Sequence, residues 1–315
     1  MTELEELDKM ALVAPDKLDA DATLSIYEAL RPLMPAAVSA ASRKAERLMD
    51  ILDEFDALIL DGFGVINVGA DKIPGIDALL DQARADQKPI VVLTNGASHP
   101  KDFSARKYQN WGLQIETEDV VSSRDALMAE FNRRSDKAGW LCLDRAVTAL
   151  SDTMENKAEL AQSLKKAKGI AFLGSSDWSL ADQEILESCL QEKACPVWVG
   201  NPDISAPYTE RFSCEPGYWM ARLIKHTQIR PKWFGKPHPA AFECAYKQLK
   251  VRTGRDFDKS RVAMVGDSLH TDILGGAAFG FSTVLVTRYG LLRDHHADKV
   301  CTRTGIFPAW QVKRI

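Results

Sequence analysis

The chain has no CxxC pair, no run of apolar residues long enough to span a bilayer, no low-complexity segment and no excess of basic charge. Each absence removes a class of function. The six cysteines, Cys142, Cys189, Cys195, Cys214, Cys244 and Cys301, are scattered without metal-like spacing to histidine, as small buried residues of a reducing compartment are. Without about 18 consecutive apolar residues there is no membrane helix. A formal net charge of −4 argues against a broad nucleic-acid-binding face. The opening segment, MTELEELDKMALVAPDKLDADA, is acidic and lacks the basic-then-apolar order of a signal peptide, so a cytoplasmic location is expected.

What remains is a globular composition, 45% hydrophobic and 27% charged, in 315 residues, enough for a core and a smaller second unit. Short apolar, β-branched runs at 56–61, 89–94, 118–122, 261–266 and 283–287 read as buried strands. Helical periodicity falls between them at 74–85, with Pro74 in a first turn, and at 101–110, 123–133, 239–250 and 269–279. This alternation predicts an α/β fold with a doubly wound parallel sheet. A second rhythm (GWLCL, a helix near 155–167, GIAFLG, a helix at 179–192, PVWVG) predicts a smaller inserted α/β domain at 136–202. The core is then 1–135 and 203–315, with residues 1–50 read as a helical packing extension interrupted at Pro32 and Pro35.

Four segments place polar side chains at strand ends, the edge of a parallel sheet where ligands bind. They are Leu58-Ile-Leu-Asp61-Gly-Phe-Gly-Val-Ile66, Val91-Val-Leu-Thr94-Asn95-Gly96, Phe234-Gly-Lys236-Pro-His-Pro239 and Val265-Gly-Asp267-Ser-Leu-His-Thr-Asp272. Their chemistry is mutually compatible. Two hard carboxylates can hold Mg²⁺, a lysine offsets anionic charge, and a hydroxyl with backbone N–H groups can cradle a phosphate. A carboxylate in line with phosphorus can attack it.

In this order the motifs resemble the haloacid dehalogenase (HAD) superfamily, in particular its class IIA, NagD-like branch. Val121-Ser-Ser123 and Gly200-Asn-Pro-Asp203 add to the likeness, which spans roughly 56–290, with the insertion where that branch carries a C2-type cap. The resemblance implies a HAD-like Rossmannoid core and Mg²⁺-dependent hydrolysis of a small phosphorylated metabolite. It implies Asp61 as nucleophile and metal ligand, a metal-binding backbone carbonyl at Phe63, and Thr94, Asn95 and Gly96 at the phosphate. Lys236 would neutralise nucleophile and phosphate, Asp267 would be the second carboxylate on the metal, and Asp272 an outer carboxylate orienting metal waters or Lys236. Asn201 and Asp203 would face the leaving group at the cap junction, and caps of this kind can mediate a homodimer. His238 and His270 lie beside the motifs and match no family role.

The pattern breaks once. The family's second aspartate, which protonates the leaving oxygen and then activates water, is Phe63 here. A shifted register, with Asp61 as that second aspartate, would put Ile59 in the nucleophile position and lose the match of Val65-Ile66. The substitution predicts slow turnover or a preference for good leaving groups. The competing function is a HAD-like protein that binds a phosphorylated ligand or partner without turnover. Carbon–halogen hydrolysis would use the same nucleophile without metal, which Asp267 and Asp272 disfavour.

Overall fold

The computed structural model describes Leu7, Met10 and residues 11–38, 41–144, 159–208 and 211–315. In chain order its strands are β1 (Arg43–Arg47), β2 (Ala57–Leu60), β3 (Asn67–Val68), β4 (Asp71–Lys72), β5 (Ile90–Thr94), β6 (Val120–Ser122), β7 (Trp140–Leu143), β8 (Gly169–Phe172), β9 (Val197–Val199), β10 (Lys232–Trp233), β11 (Val262–Gly266), β12 (Ser282–Val286) and β13 (Trp310–Arg314). Among the described residues, seven of them form one parallel sheet in the order β1-β13-β12-β11-β2-β5-β6.

The apolar runs predicted this sheet because its inner strands are covered on both faces. Along β2, Leu58 and Leu60 enter one hydrophobic core while Ala57 and Ile59 enter another. Along β11, Ala263 and Val265 part from Val262 and Met264 in the same way. With alternate side chains going to opposite cores, no position is left for a polar residue until the strand ends. Helices α2 (Ile76–Ala85) and α3 (Lys101–Asn110) cover the first face, and α8 (Pro239–Thr253) the second. Pro74 lies just ahead of α2 rather than in its first turn, because Gly75, at φ +95°, is the capping residue.

A second parallel sheet has the order β10-β9-β8-β7. Its helices are α5 (Leu160–Lys166), α6 (Leu180–Glu192) and α7 (Pro216–Thr227). Residues 155–158 of the helix expected at 155–167 lie outside the described residues. The sheet takes its fourth strand from beyond residue 202, and α7 buries Tyr218, Trp219 and Met220 in the cluster that holds Phe172 and Val199. The small unit therefore extends past the sequence boundary at 202, since Asn201-Pro202-Asp203 is an inner loop of the chain rather than its exit. Gly174 and Gly200, just past β8 and β9, abut Ser98 and Ala97 beyond β5; a Cβ at either would lie 2.3 Å from Ser98 Oγ or 2.8 Å from Ala97 Cβ. The strand ends of the second sheet thus close over those of the first.

The first 50 residues are not helical throughout. Helix α1 (Ala20–Ala29), capped by the Asp19 carboxylate, is followed by edge strand β1, parallel to β13. The β1 sequence, RKAER, has no apolar pattern because only its middle residue is half-buried. Arg43 instead lays its guanidinium 3.9 Å above the Trp310 ring, and such charged side chains blunt an edge strand against further pairing.

Candidate active site

Asp61 leaves β2 in a tight loop whose Ile66 and Asn67 amides both donate to the Gly62 carbonyl. Gly64 sits at φ +75°, and a Cβ there would lie 2.5 Å from the Asp267 side chain, so the loop needs glycine for both conformation and close approach. Lys236 enters from the segment ahead of α8 and is 2% exposed. Its ammonium lies 2.5 Å from Asp61 Oδ1 and 2.7 Å from Asp272 Oδ1, and donates to the Leu93 carbonyl at 3.1 Å. Asp272 Oδ2 accepts from the Ser268 amide at 3.1 Å, and Asp267 Oδ2 from the Leu291 amide at 2.7 Å. Ligand atoms of Asp61, Asp267 and Asp272 all lie within 4.8 Å of one another, and all three residues are buried.

Three carboxylates around one ammonium leave a surplus of negative charge. Burial pushes the Asp61 carboxyl up to about 6 against the pull of Lys236. Asp267 rises well above the usual carboxylate range through burial and then through the charges of Asp272 and Asp61. Burial alone would lower Lys236, but Asp272 and Asp61 overrule it and keep the ammonium charged. A divalent cation fits this donor set: all-oxygen, hard, and short of positive charge.

Thr94 and Asn95 end β5 beside this cluster. The Thr94 hydroxyl accepts from the Gly96 amide at 3.1 Å. The Asn95 amide is committed on both sides, its Oδ1 accepting from Lys236 N at 2.7 Å and its Nδ2 donating to Lys236 O at 3.0 Å and to Asp203 Oδ1 at 2.7 Å. Asn201 accepts from the Asp203 amide at 2.9 Å and donates to Glu215 at 3.1 Å, so its side chain supports the junction loop. Burial pushes Asp203 up to about 8, with Lys236 and the Asn95 hydrogen bond opposing.

Phe63 packs edge-on against Tyr208, ring centres 5.6 Å apart, with the Lys107 ammonium 5.7 Å from its ring centre. Burial draws Lys107 down to about 8, opposed by the Asp61 charge, and its Nζ donates to Asn67 at 3.1 Å. Sequence reasoning missed Lys107 and Glu215. Lys107 is one more lysine on α3, and only the turn of that helix brings it to the site.

The raised carboxylates predict a pH dependence. Unfolded, Asp61, Asp203 and Asp267 titrate near 4; folded and without metal they hold protons to higher pH. From about pH 4 up to each folded value, the unfolded state has released a proton that the native state retains. Stability therefore falls as pH rises, by up to about 1.4 kcal/mol per group per pH unit. In EDTA the melting temperature is expected to drop between about pH 6.5 and 8, above the range where His238 and His270, held neutral by burial, add stability as pH rises; a flat or rising profile there would contradict this charge balance.

A family model for haloacid dehalogenase-like hydrolases matches residues 58–170, and a HAD-hydrolase-like model matches 233–307. Between them they take in all four strand-end motifs. The chain is a haloacid dehalogenase-like hydrolase. This hydrolase is 25% identical over 239 residues to an acid sugar phosphatase of Staphylococcus haemolyticus, covering 75% of its own length and 86% of the relative's. It superposes on a possible sugar phosphatase of the HAD superfamily from Cytophaga hutchinsonii with a TM-score of 0.74 at 25% identity, covering 87% of this chain and 98% of that one. NagD of Escherichia coli shares the fold at a TM-score of 0.61 and 20% identity, with 82% and 96% covered. Among the described residues no helix of the hydrolase is long and apolar enough to cross a membrane.

Proposed function

We propose that this hydrolase is a Mg²⁺-dependent phosphatase of a small phosphorylated metabolite, working through an aspartyl-phosphate at Asp61. The buried Asp61–Lys236–Asp272 ion-pair chain, with Asp267 beside it, carries the reading. Asp61, the Phe63 carbonyl, Asp267 and Asp272 would hold the cation directly or through water, and bound there it would supply positive charge to the phosphoryl oxygens. A carboxylate oxygen of Asp61 attacks phosphorus as the bond to the leaving oxygen breaks; water then cleaves the acyl phosphate. Lys236 opposes the burial that favours protonation of Asp61, while the Thr94 hydroxyl, which accepts from the Gly96 amide, keeps its own proton to offer a phosphate oxygen. Asn95 acts by fixing the Lys236 backbone. The sugar phosphatase names of the relatives support a phosphate monoester as substrate.

Phe63 limits which esters react quickly. Its ring offers no proton to a departing alkoxide, so aryl and acyl phosphates, which leave without one, are the favoured substrates. Asp61→Asn is expected to cut turnover of 4-nitrophenyl phosphate at least about 10³-fold, since the nucleophile is lost. Chelation of divalent cations should do the same reversibly. If wild type turns over neither aryl nor acyl phosphate with Mg²⁺ present, the binding-only reading takes its place.

A further inference from the structure

Helix α1 lies outside every motif, yet its side chains reach the back of the site. Tyr27 is 2% exposed and stacks on the ring of His270, centroids 5.0 Å apart and planes 7° from parallel. The next residue, Glu28, hydrogen-bonds His270 Nε2 through Oε1. His270 is fully buried in the turn Leu269–Ile273, two positions before Asp272. From the same helix the Tyr27 hydroxyl accepts from the Ile204 amide at 3.2 Å, and Thr23 hydrogen-bonds Ser205 at 2.8 Å. Those contacts fall on the loop that carries Asp203 and through it Asn95. One helical turn therefore grips two loops: that of Asp272, which pairs with Lys236, and that of Asp203, whose partner Asn95 holds the Lys236 backbone.

Packing agrees with this. Leu24, Ile26 and Tyr27 share one buried cluster with Leu269 and Ile273 of the large unit and with Ile204, Tyr218 and Trp219 toward the small one. Upstream of α1, the Val13 carbonyl accepts from the Tyr218 hydroxyl at 2.6 Å. Burying a histidine against a carboxylate and an aromatic ring is costly unless the geometry is fixed, so the arrangement holds the His270 turn in one position.

We propose that Tyr27 and Glu28 are positioning residues of the active site: they hold the Asp272 turn and the Asp203 loop in register, so that the carboxylate cluster is preorganised for its divalent cation and Lys236. The cation part rests on the phosphatase reading above; the positioning of the two loops does not.

The test compares full-length wild type with Glu28→Ala, Glu28→Gln and Tyr27→Phe. Amide hydrogen exchange is read first, without metal or substrate. Glu28→Ala should speed exchange in 267–273, and Tyr27→Phe in 203–206, with other segments unchanged. Glu28→Gln, which keeps the shape and a hydrogen bond to His270, should restore protection. Next, the Mg²⁺ dissociation constant is obtained from the rise of melting temperature with the logarithm of Mg²⁺ concentration. Glu28→Ala should raise it about tenfold, the lower end of what loss of a supporting shell costs. KM for 4-nitrophenyl phosphate at saturating Mg²⁺ should change less than kcat. Unaltered exchange in both loops overturns the proposal, as does a lower melting temperature with the Mg²⁺ dissociation constant unchanged. A wild type that Mg²⁺ does not stabilise refutes the metal reading instead, while hydrogen exchange still decides the positioning of the loops.

Discussion

Replacing Lys236 with methionine is expected to reduce turnover to background and to destabilise the protein by about 3–5 kcal/mol in the absence of metal, as loss of one partner of a buried ion pair does. The ammonium is 2% exposed and lies between Asp61 and Asp272. Methionine fills much of the same volume, so the loss is electrostatic rather than a cavity. Two buried carboxylates are left facing each other, with Asp267 within reach of both. Burial already raises Asp61, and Lys236 is the first influence opposing it. Without that opposition Asp61 takes up a proton near neutral pH and can no longer serve as the proposed nucleophile. A divalent cation would replace part of the missing charge, so the stability deficit should shrink when Mg²⁺ is added while turnover stays lost. Lys236→Arg keeps the charge, but its planar fork cannot meet Asp61, Asp272 and the Leu93 carbonyl from one point. It should recover some stability and little activity. Denaturant midpoints with and without Mg²⁺, beside initial rates on 4-nitrophenyl phosphate, decide the matter. More than about a tenth of wild-type turnover in Lys236→Met would remove the lysine from the mechanism, because loss of a preorganised charge at the reacting group costs at least about a hundredfold.

The difference between what could and could not be read in the sequence follows from burial. Inner strands such as β2 and β11 are covered on both faces, so their sequences are nearly unbroken apolar runs, and each run ends on a polar residue at the site. Asp61, Thr94 and Asp267 were therefore visible as strand ends. Strand β1 was not, because an exposed edge strand carries the charges of a solvated helix. β10 has only two residues and owes its place to β9, so the reach of the small sheet beyond 202 has no local signature. The same rule divides the site. Residues placed by a strand end or a short turn announce themselves. Lys107, Glu215 and Tyr27 do not, because helix packing and loop closure over long sequence separations bring them there; His270 stood inside a motif, but its pairing with Tyr27 and Glu28 did not show. Asn95 shows a finer limit: the motif brought it to the site, but its side chain is occupied with Lys236 and Asp203.

Phe63→Asp is the change expected to raise activity, and Lys107 governs by how much. A positioned general acid–base contributes about 10²–10⁴ in rate, most of it where the leaving group needs a proton. Alkyl and sugar phosphates should therefore gain far more than 4-nitrophenyl phosphate. Yet Lys107 already stands 5.7 Å from the Phe63 ring centre, on a flexible stem, with its charge drawn down by burial. An aspartate introduced there would pair with that ammonium. Pairing restores the charge of Lys107 and lowers the pKa of the new carboxyl, so at neutral pH it is mostly ionised. An ionised aspartate can take a proton from the hydrolytic water but has none to give the leaving oxygen. The single variant should accordingly speed breakdown of the aspartyl-phosphate more than its formation, with about a tenfold gain on alkyl esters, the shortfall below the full range reflecting that pairing. Combining Phe63→Asp with Lys107→Met frees the carboxyl from its partner, lets burial raise its pKa, and should bring the gain on alkyl esters to about a hundredfold. The measurement is a rate ratio, sugar phosphate over 4-nitrophenyl phosphate, for wild type, both single variants and the double. The ratio should stay near wild type in Lys107→Met and climb from wild type through Phe63→Asp to the double variant, whose alkaline limb should lie at higher pH than that of Phe63→Asp. Equal gains on both substrates would show that the site lacks something other than a proton donor, and the leaving-group argument built on Phe63 would fall.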